Sequence, residues 1–422
     1  MTTHDSTRKF GCTVVGGGIH GTYLAQRLVE DTPLDSSDVL VVDPHDRLLT
    51  SFREKARACG MDTLRSTFVH HIGTESFDLE NFAEANDRED ELVSTVDYPP
   101  RPSLDLFVDH AEYVIEQKNL DSLHCQAAVD AIRERPDTAG LRLETTVGAI
   151  DTEHCVLAIG HGGRYRRPDW GVELDGVEHV WGEFDPDASA DRTIVVGGGI
   201  TAAQLACELS DTQSVTLFSR HPLEWEVSEA NPPWINWSHI EANLHVHPPG
   251  SSDRFDVISD ARHTATVPPS LYTALMNRID DGDLTLTQGT VDSATNEDGS
   301  VRLSLDHGLQ LLGDRVVLAT GFEPVFDHPF VERIADELEL TRGYRGMPVL
   351  DDGTLAWRCD DGRTVPLYVS GALAVETVGP YAPNVPGARR AGDRIAAAIA
   401  QHHRPSGTDT AREQVDGAEV SD

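Results

Sequence analysis

Two glycine spacings in this chain are suited to holding phosphates. Gly16-x-Gly18-x-x-Gly21 follows an apolar run at 12–15 and precedes Leu24, Leu28 and Val29, which recur at helical spacing. In such a strand–turn–helix the first glycine permits the tight turn and the second lets a pyrophosphate approach the backbone. The third lets helix and strand pack closely. The helix N-terminus then offers free N–H groups and positive partial charge. Asp43, at the end of the next apolar run (39–42), is placed to hold a ribose hydroxyl. The pattern returns at Gly197-x-Gly199-x-x-Ala202, after the run at 193–196. Here the second strand ends in Ser219-Arg220 with no acid. An arginine there can pair with a 2′-phosphate, which NADP carries and NAD lacks. The second loop is therefore predicted to take NADPH, the alternative for Arg220 being a solvated surface charge.

Other reactive residues are scattered. His70 and His71 stand together, and a histidine can shuttle a proton near neutral pH. Adjacent histidines point in different directions on regular structure and make poor joint ligands, so no metal is expected. Trp225, Trp234 and Trp237 are candidates for an apolar or cation-binding wall, or for packing between domains. Six cysteines occur singly at 12, 59, 125, 155, 207 and 359, without a C-x-x-C. That spacing offers no zinc pair, no disulfide framework and no close redox-active pair.

The elements that must position these residues form a repeat. Strand, turn, helix and strand over 10–43 recur over 193–218, and a repeated βαβ unit is more informative than either copy alone. Residues 44–150 read as looser and largely helical. They include a helix at 103–118 capped by Ser103 and preceded by Pro99, Pro100 and Pro102. A short buried strand at 155–159 ends in Gly160, and 162–191 reads as a linker. After the variable stretch 221–275, strands are expected near 284–288, 301–305, 315–319 and 367–369, with a helix over 385–400. The expected fold is α/β, with two Rossmann-like, three-layer nucleotide-binding domains, the second inserted in the first. The divisions are 1–165, 166–305, 306–403 and a disordered acidic tail, 404–422.

Composition narrows the partners. The 422 residues carry 71 acidic against 34 basic side chains, a net charge of −37, and only three lysines beside 31 arginines. Acids spread along the whole chain read as a halophilic surface, hydrated by carboxylates and screened by salt. Binding of cationic partners is the alternative. Phosphates would be repelled overall, so nucleic acid is excluded as a partner. No apolar run is long enough to span a membrane, and the N-terminus lacks the apolar core of a signal peptide. A cytoplasmic location is expected, and the oligomeric state is left open.

The order of the motifs resembles the flavoproteins with two dinucleotide-binding domains. In that group the first fold binds FAD and the inserted fold binds NAD(P)H. Leu318-Ala-Thr-Gly321-Phe322 is similar to their ATG motif, which includes Thr320, and Leu157-Ala-Ile-Gly160 is similar to its degenerate counterpart at the crossover. Further segments resemble the lysine/ornithine N-monooxygenases among the class B flavin monooxygenases. Asp314-x-x-x-Leu318-Ala-Thr-Gly-Phe322 is similar to their DxxxLATGY signature. Met61–Ile72 resembles a segment near flavin and substrate, with Arg65 and His70 standing where that family carries Gln and Lys. Asn231-Pro-Pro-Trp-Ile-Asn236 resembles a segment with polar contacts at the nicotinamide–substrate cleft. Gly371 follows the strand at 367–369, and the helix after Asn384 should aim its N-terminus at the flavin, favouring negative charge on the reduced ring. Pro386 suits its first turn.

The resemblance implies an FAD-dependent, NADPH-using oxidoreductase of monooxygenase type acting on a small substrate, an amine among the candidates. NADPH would reduce the flavin, O2 would add at C4a, and the hydroperoxide oxygen would pass to the substrate. His70, Arg65 and Asn236 are the catalytic candidates. Two alternatives stand beside it: an NAD(P)H dehydrogenase or oxidase without oxygen transfer, and a flavin-binding regulatory protein that does not turn over.

Overall fold

Every residue of the strand Val39–Asp43 is buried, as expected where a parallel sheet is covered on both faces. The strand lies in a parallel series ordered Thr364–Val369, Gly148–Leu157, Arg8–Val15, Val39–Asp43, His124–Gln126. This is a computed structural model, and it describes residues 8–403 apart from 96, 137 and 173. The acidic tail expected at 404–422 lies outside the described residues. Antiparallel Ala356–Arg358 extends the first sheet at one edge. Helices Ile19–Asp31 and Val385–His402 pack side by side on it, joined by the Arg27–Asp393 pair at 2.9 Å. Gly392 makes room for the ring of Tyr23 between them, since a Cβ there would lie 2.9 Å from the ring.

A second parallel sheet repeats the plan. Its order is Leu284–Gln288, Ser214–Ser219, Arg192–Val196, Arg315–Leu318, Val177–His179. In both sheets the strand feeding a glycine loop sits between the strand that follows its helix and a strand from much later in the chain. The expected α/β class with two nucleotide-binding folds is the fold observed.

Several local expectations change. The strand 315–318 was expected to belong to the returning first fold, from 306 onward. It instead pairs with Arg192–Val196 in the second sheet, so the chain leaves that sheet only after Leu318. Residues 124–150, expected within a largely helical region, are mostly strand. Val129–Glu134, Leu141–Thr145 and Gly148–Leu157 form an antiparallel run whose last member turns into the parallel sheet. The proposed linker 162–191 contributes Val177–His179 as an edge strand. In these stretches pairing with neighbouring strands, which periodicity does not report, decided the conformation. The helix capped by Ser103 is present as Leu104–Gln117, with the Ser103 hydroxyl accepting from Leu106 N–H.

The two crossings between the folds run beside each other. Tyr165 and Phe322 form an antiparallel bridge. Arg166 N–H donates to Gly321 O at 2.9 Å and Glu323 N–H to Arg164 O at 3.0 Å. Trp181 stacks on Phe322 at 4.6 Å and Tyr165 on His179 at 4.7 Å.

A second tie is polar. Arg254, on the helix Ser252–Ala261, is fully buried. It donates to both Asp352 carboxylate oxygens at 2.7 and 2.8 Å, to His247 O at 3.0 Å and to Glu376 O at 3.2 Å. This docks the stretch read as variable onto the C-terminal part of the first fold. Removing one partner of a buried ion pair leaves desolvated groups unpaired. Arg254→Ala is expected to cost about 2–4 kcal/mol, under the fully buried figure because the Asp352 side chain is 30% exposed. Urea unfolding measures this, and a loss no larger than that of a surface substitution would remove the clamp from the account of stability.

Candidate functional site

Both glycine loops are made by one backbone arrangement used twice. Gly16 N–H donates to Val42 O and Gly197 N–H to Phe218 O, each at 2.9 Å. Ala158 N–H donates to Val15 O and Ala319 N–H to Val196 O, each at 2.8 Å. A Cβ on Gly16 would lie 2.4 Å from Ala158 O, and one on Gly197 would lie 2.6 Å from Ala319 O. Only glycine allows so close a carbonyl. A Cβ on Gly21 would come 1.7 Å from Gly16 O, so helix and strand meet there through glycine, while Ala202 takes the matching place in the second copy. Gly18 and Gly199 cap their helices without a side-chain hydrogen bond, and neither first turn contains an acid. The first-turn N–H groups of both helices are thus available to an anion.

The ends of the second strands differ as their residue types require. Asp43 Oδ2 accepts from Gly17 N–H at 2.6 Å, while Oδ1 accepts from His45 N–H at 2.9 Å. The acid therefore braces the loop from beneath. Ser219 occupies the corresponding place, its Oγ 2.5 Å from where a Cβ on Gly198 would stand. Arg220 follows it, exposed.

A cleft of about 1160 Å³ opens beside the second loop and reaches toward the first fold. Gly197, Gly199, Ser219 and Arg220 line one side, Thr320 and Gly321 the crossover, and Ile19, Phe52 and Asn384 the other side. Five arginines face it (Arg65, Arg166, Arg167, Arg220, Arg262) against two carboxylates, Glu229 and Glu323. In a chain of net charge −37, this concentrates positive potential where an anionic ligand would enter. Gly16, Gly18, Gly21, Asp43, Gly160 and Gly371 belong to the first fold and do not line this cleft. Gly160 and Gly371 hold turns at φ +60° and +82°, where Leu157 and Val369 end neighbouring strands.

The three catalytic candidates are placed unequally. Arg65 reaches the cleft, but its Nη2 donates to Glu226 O, Ser228 O and Thr266 Oγ1, each at 2.9 Å. It clamps the 226–228 stretch instead of standing free. His70 does not line the cleft and its Nδ1 lies 3.2 Å from Thr67 Oγ1. Burial, helped by Arg389 and Arg390, lowers its pKa to about 4, so the near-neutral titration expected from the sequence is not the folded behaviour. Asn236 is exposed at the start of the helix Trp237–Asn243, away from the cleft lining. A segment motif could not show that a helix begins there and turns the residue outward.

The sequence reading named Asn384 but passed over His161, His20, Glu229 and Arg262. His161 lines the cleft with its ring 4.2 Å from that of Phe322. Burial, then the charges of Lys55 and Arg262, lowers its pKa to about 4. Asn384 Nδ2 donates to Glu229 Oε1 at 3.1 Å, and its Oδ1 is buried without a partner. His20, inside the first loop, lies 2.8 Å from Ser370 Oγ through Nδ1, while Nε2 is buried and unpartnered. The position of His161 directly after Gly160 was the only signal available for it. Glu229 and Arg262 gave none.

Two dinucleotide-type folds, each with a bare helix N-terminus and joined by an arginine-lined cleft, define the class of this protein. Residues 13–162 match a family profile described as FAD-NAD(P)-binding. The fold is similar to ornithine hydroxylase from Pseudomonas aeruginosa, with a TM-score of 0.74 and 18% identity over 94% of this chain and 100% of that one. It is also similar to the ornithine N-hydroxylase of Kutzneria sp. 744, at 0.72 and 17% over 93% and 99%. The bacillithiol disulfide reductase of Staphylococcus aureus matches at 0.62 and 14% over 94% and 100%. A search of curated protein sequences returns no match. At these identities the likeness establishes the fold. Among the described residues, no helix is long and apolar enough to cross a membrane.

His161 makes the cleft sensitive to acid. The unfolded ring takes up a proton below about 6.5, while the folded ring resists down to about 4. Stability from this residue is complete above that window and is lost as pH falls through it. The advantage of wild type over His161→Gln is expected to shrink by about 1 kcal/mol per pH unit across the window. Unfolding both proteins at one salt concentration tests this, because the effect of the carboxylate surface cancels. A flat difference would mean that the folded ring protonates freely.

Proposed function

We propose that this chain is an FAD-dependent, NADPH-using monooxygenase that hydroxylates a small amine with O2. The observation that carries the reading is the arginine-lined cleft joining the second glycine loop to the first fold, with Arg220 at the strand end where a 2′-phosphate would lie. The first fold suits FAD: its loop admits no Cβ at Gly16 or Gly21, and His20 Nε2 and Asn384 Oδ1 are buried polar atoms awaiting partners. When bound, a flavin supplies the electron acceptor for the nicotinamide hydride and the means to activate O2.

The chain's own part is to bind, orient and exclude water. Main-chain N–H groups at the starts of helices Ile19–Asp31 and Ile200–Ser210 receive the two pyrophosphates. Asp43 takes the FAD ribose, and Ser219 and Arg220 take the far ribose phosphate of NADPH. The N-terminus of Val385–His402, opened by Asn384, favours negative charge at the flavin ring. Glu229, set among arginines and held by Asn384, is a carboxylate able to meet a substrate ammonium. The ornithine hydroxylases that share the fold act on an amine, which supports this substrate class. The disulfide reductase that shares it is a weaker guide. All six cysteines are unpaired and five are buried, a pattern that also suits a reducing cytoplasm.

At molar salt, the purified protein should carry a flavin that NADPH bleaches. Diamines or basic amino acids should then stimulate NADPH consumption matched by hydroxylamine formation. Peroxide release without hydroxylated product would favour the oxidase alternative. Absence of any NADPH-driven bleaching would favour a binding protein. Arg220→Ala should weaken NADPH about ten- to a hundredfold and leave NADH nearly unchanged, as read from KM for each. Equal losses would remove the phosphate contact.

A further inference from the structure

His71, Asp78 and His110 come from separate parts of the chain. His71 lies in a loop, Asp78 opens the helix Asp78–Ala85, and His110 sits within Leu104–Gln117. One ligand atom from each lies within 4.8 Å of the others. Both histidines are fully buried. His110 Nε2 is 3.1 Å from Asp78 Oδ2, but His110 Nδ1 and both ring nitrogens of His71 are buried without a partner. An unsatisfied buried polar atom costs about 1–3 kcal/mol, so this imidazole is poorly explained by packing alone. Gly73 keeps the space open: a Cβ there would stand 2.2 Å from Asp78 Oδ2 and 3.2 Å from His71 Nδ1.

We propose that His71, Asp78 and His110 bind one divalent transition-metal ion of zinc-like coordination preference. Two imidazoles and a carboxylate form a donor set such ions accept, with water completing the shell. Water and ion can enter from the Asp78 side, which is 29% exposed while the His110 side chain is 0% exposed. The charged neighbours are accounted for. Arg389 is directed to the carbonyls of His71 and Gly73 at 3.2 and 2.8 Å, and Lys118 pairs with Glu30 at 2.7 Å. Asp78 offsets their positive charge. The ion would staple the 70–74 loop to two helices on one side, while Arg389 holds its backbone on the other. The residues shortly before that loop, Met61, Leu64 and Arg65, line the cleft. The proposal does not depend on the reaction the cleft performs.

The full chain, stripped with EDTA, is titrated with Zn²⁺ and with Co²⁺ as a spectroscopic probe. One equivalent should bind saturably, raise Tm and produce a Co²⁺ ligand-field spectrum. Asp78→Asn, which preserves shape, and Gly73→Ala, which fills the gap, should each weaken binding about 10- to 100-fold. His403→Ala, which disrupts the other cluster of potential ligands, Glu153, His154 and His403, should leave it unchanged. No saturable binding by the wild type would overturn the proposal. So would binding that survives Asp78→Asn or disappears with His403→Ala.

Discussion

The close approach of a glycine to the carbonyl of a neighbouring strand's end is the contact on which both folds depend. Gly16 faces Ala158 O, and Gly197 faces Ala319 O. Each contact occurs where three parallel strands end together, because the alanine N–H is bonded to the strand that enters the glycine turn. A side chain there would push the late strand away and open the sheet at its centre. The contact also aims the following helix so that its first N–H groups look past the sheet edge. Both the integrity of the sheets and the aim of the two helix N-termini thus rest on two missing side chains.

Around these sites the protein separates its charges. Acids cover the chain, yet arginines gather at the cleft. Several of those arginines spend their donors on main-chain carbonyls, as Arg65 does with Glu226 and Ser228. Arg101, which is 2% exposed, likewise donates to Val227 O. Such guanidinium groups fix the chain while contributing positive potential, a dual use that lysine's single ammonium would serve less well. Burial lowers the pKa of His20 and of the cleft residue His161 to about 4, so both rings add polar groups without further charge.

Much of this was legible in the residue order because the loop motif is local. Strand, glycine turn, helix and strand are consecutive, and the contact of Gly21 with Gly16 O arises within five residues, although Gly16 and Gly197 meet carbonyls from much later in the chain. The Ser103 cap and the acid at Asp43 belong to the same category. Asp43 nevertheless acquired a structural role, bracing Gly17, that spacing alone did not show.

The sequence by itself determined the two nucleotide folds, their order and the difference between Asp43 and Arg220, since those follow from short-range backbone geometry and from residue type. Only the tertiary structure decided which sheet receives Arg315–Leu318, because strand pairing links residues far apart in the chain. It likewise turned Asn236 outward, tied up Arg65 and kept His70 from the cleft. The same long-range packing brought Arg262 and Glu229 to the cleft and gathered His71, Asp78 and His110. Burial and convergence depend on what the rest of the chain places alongside a residue, and no local pattern records that.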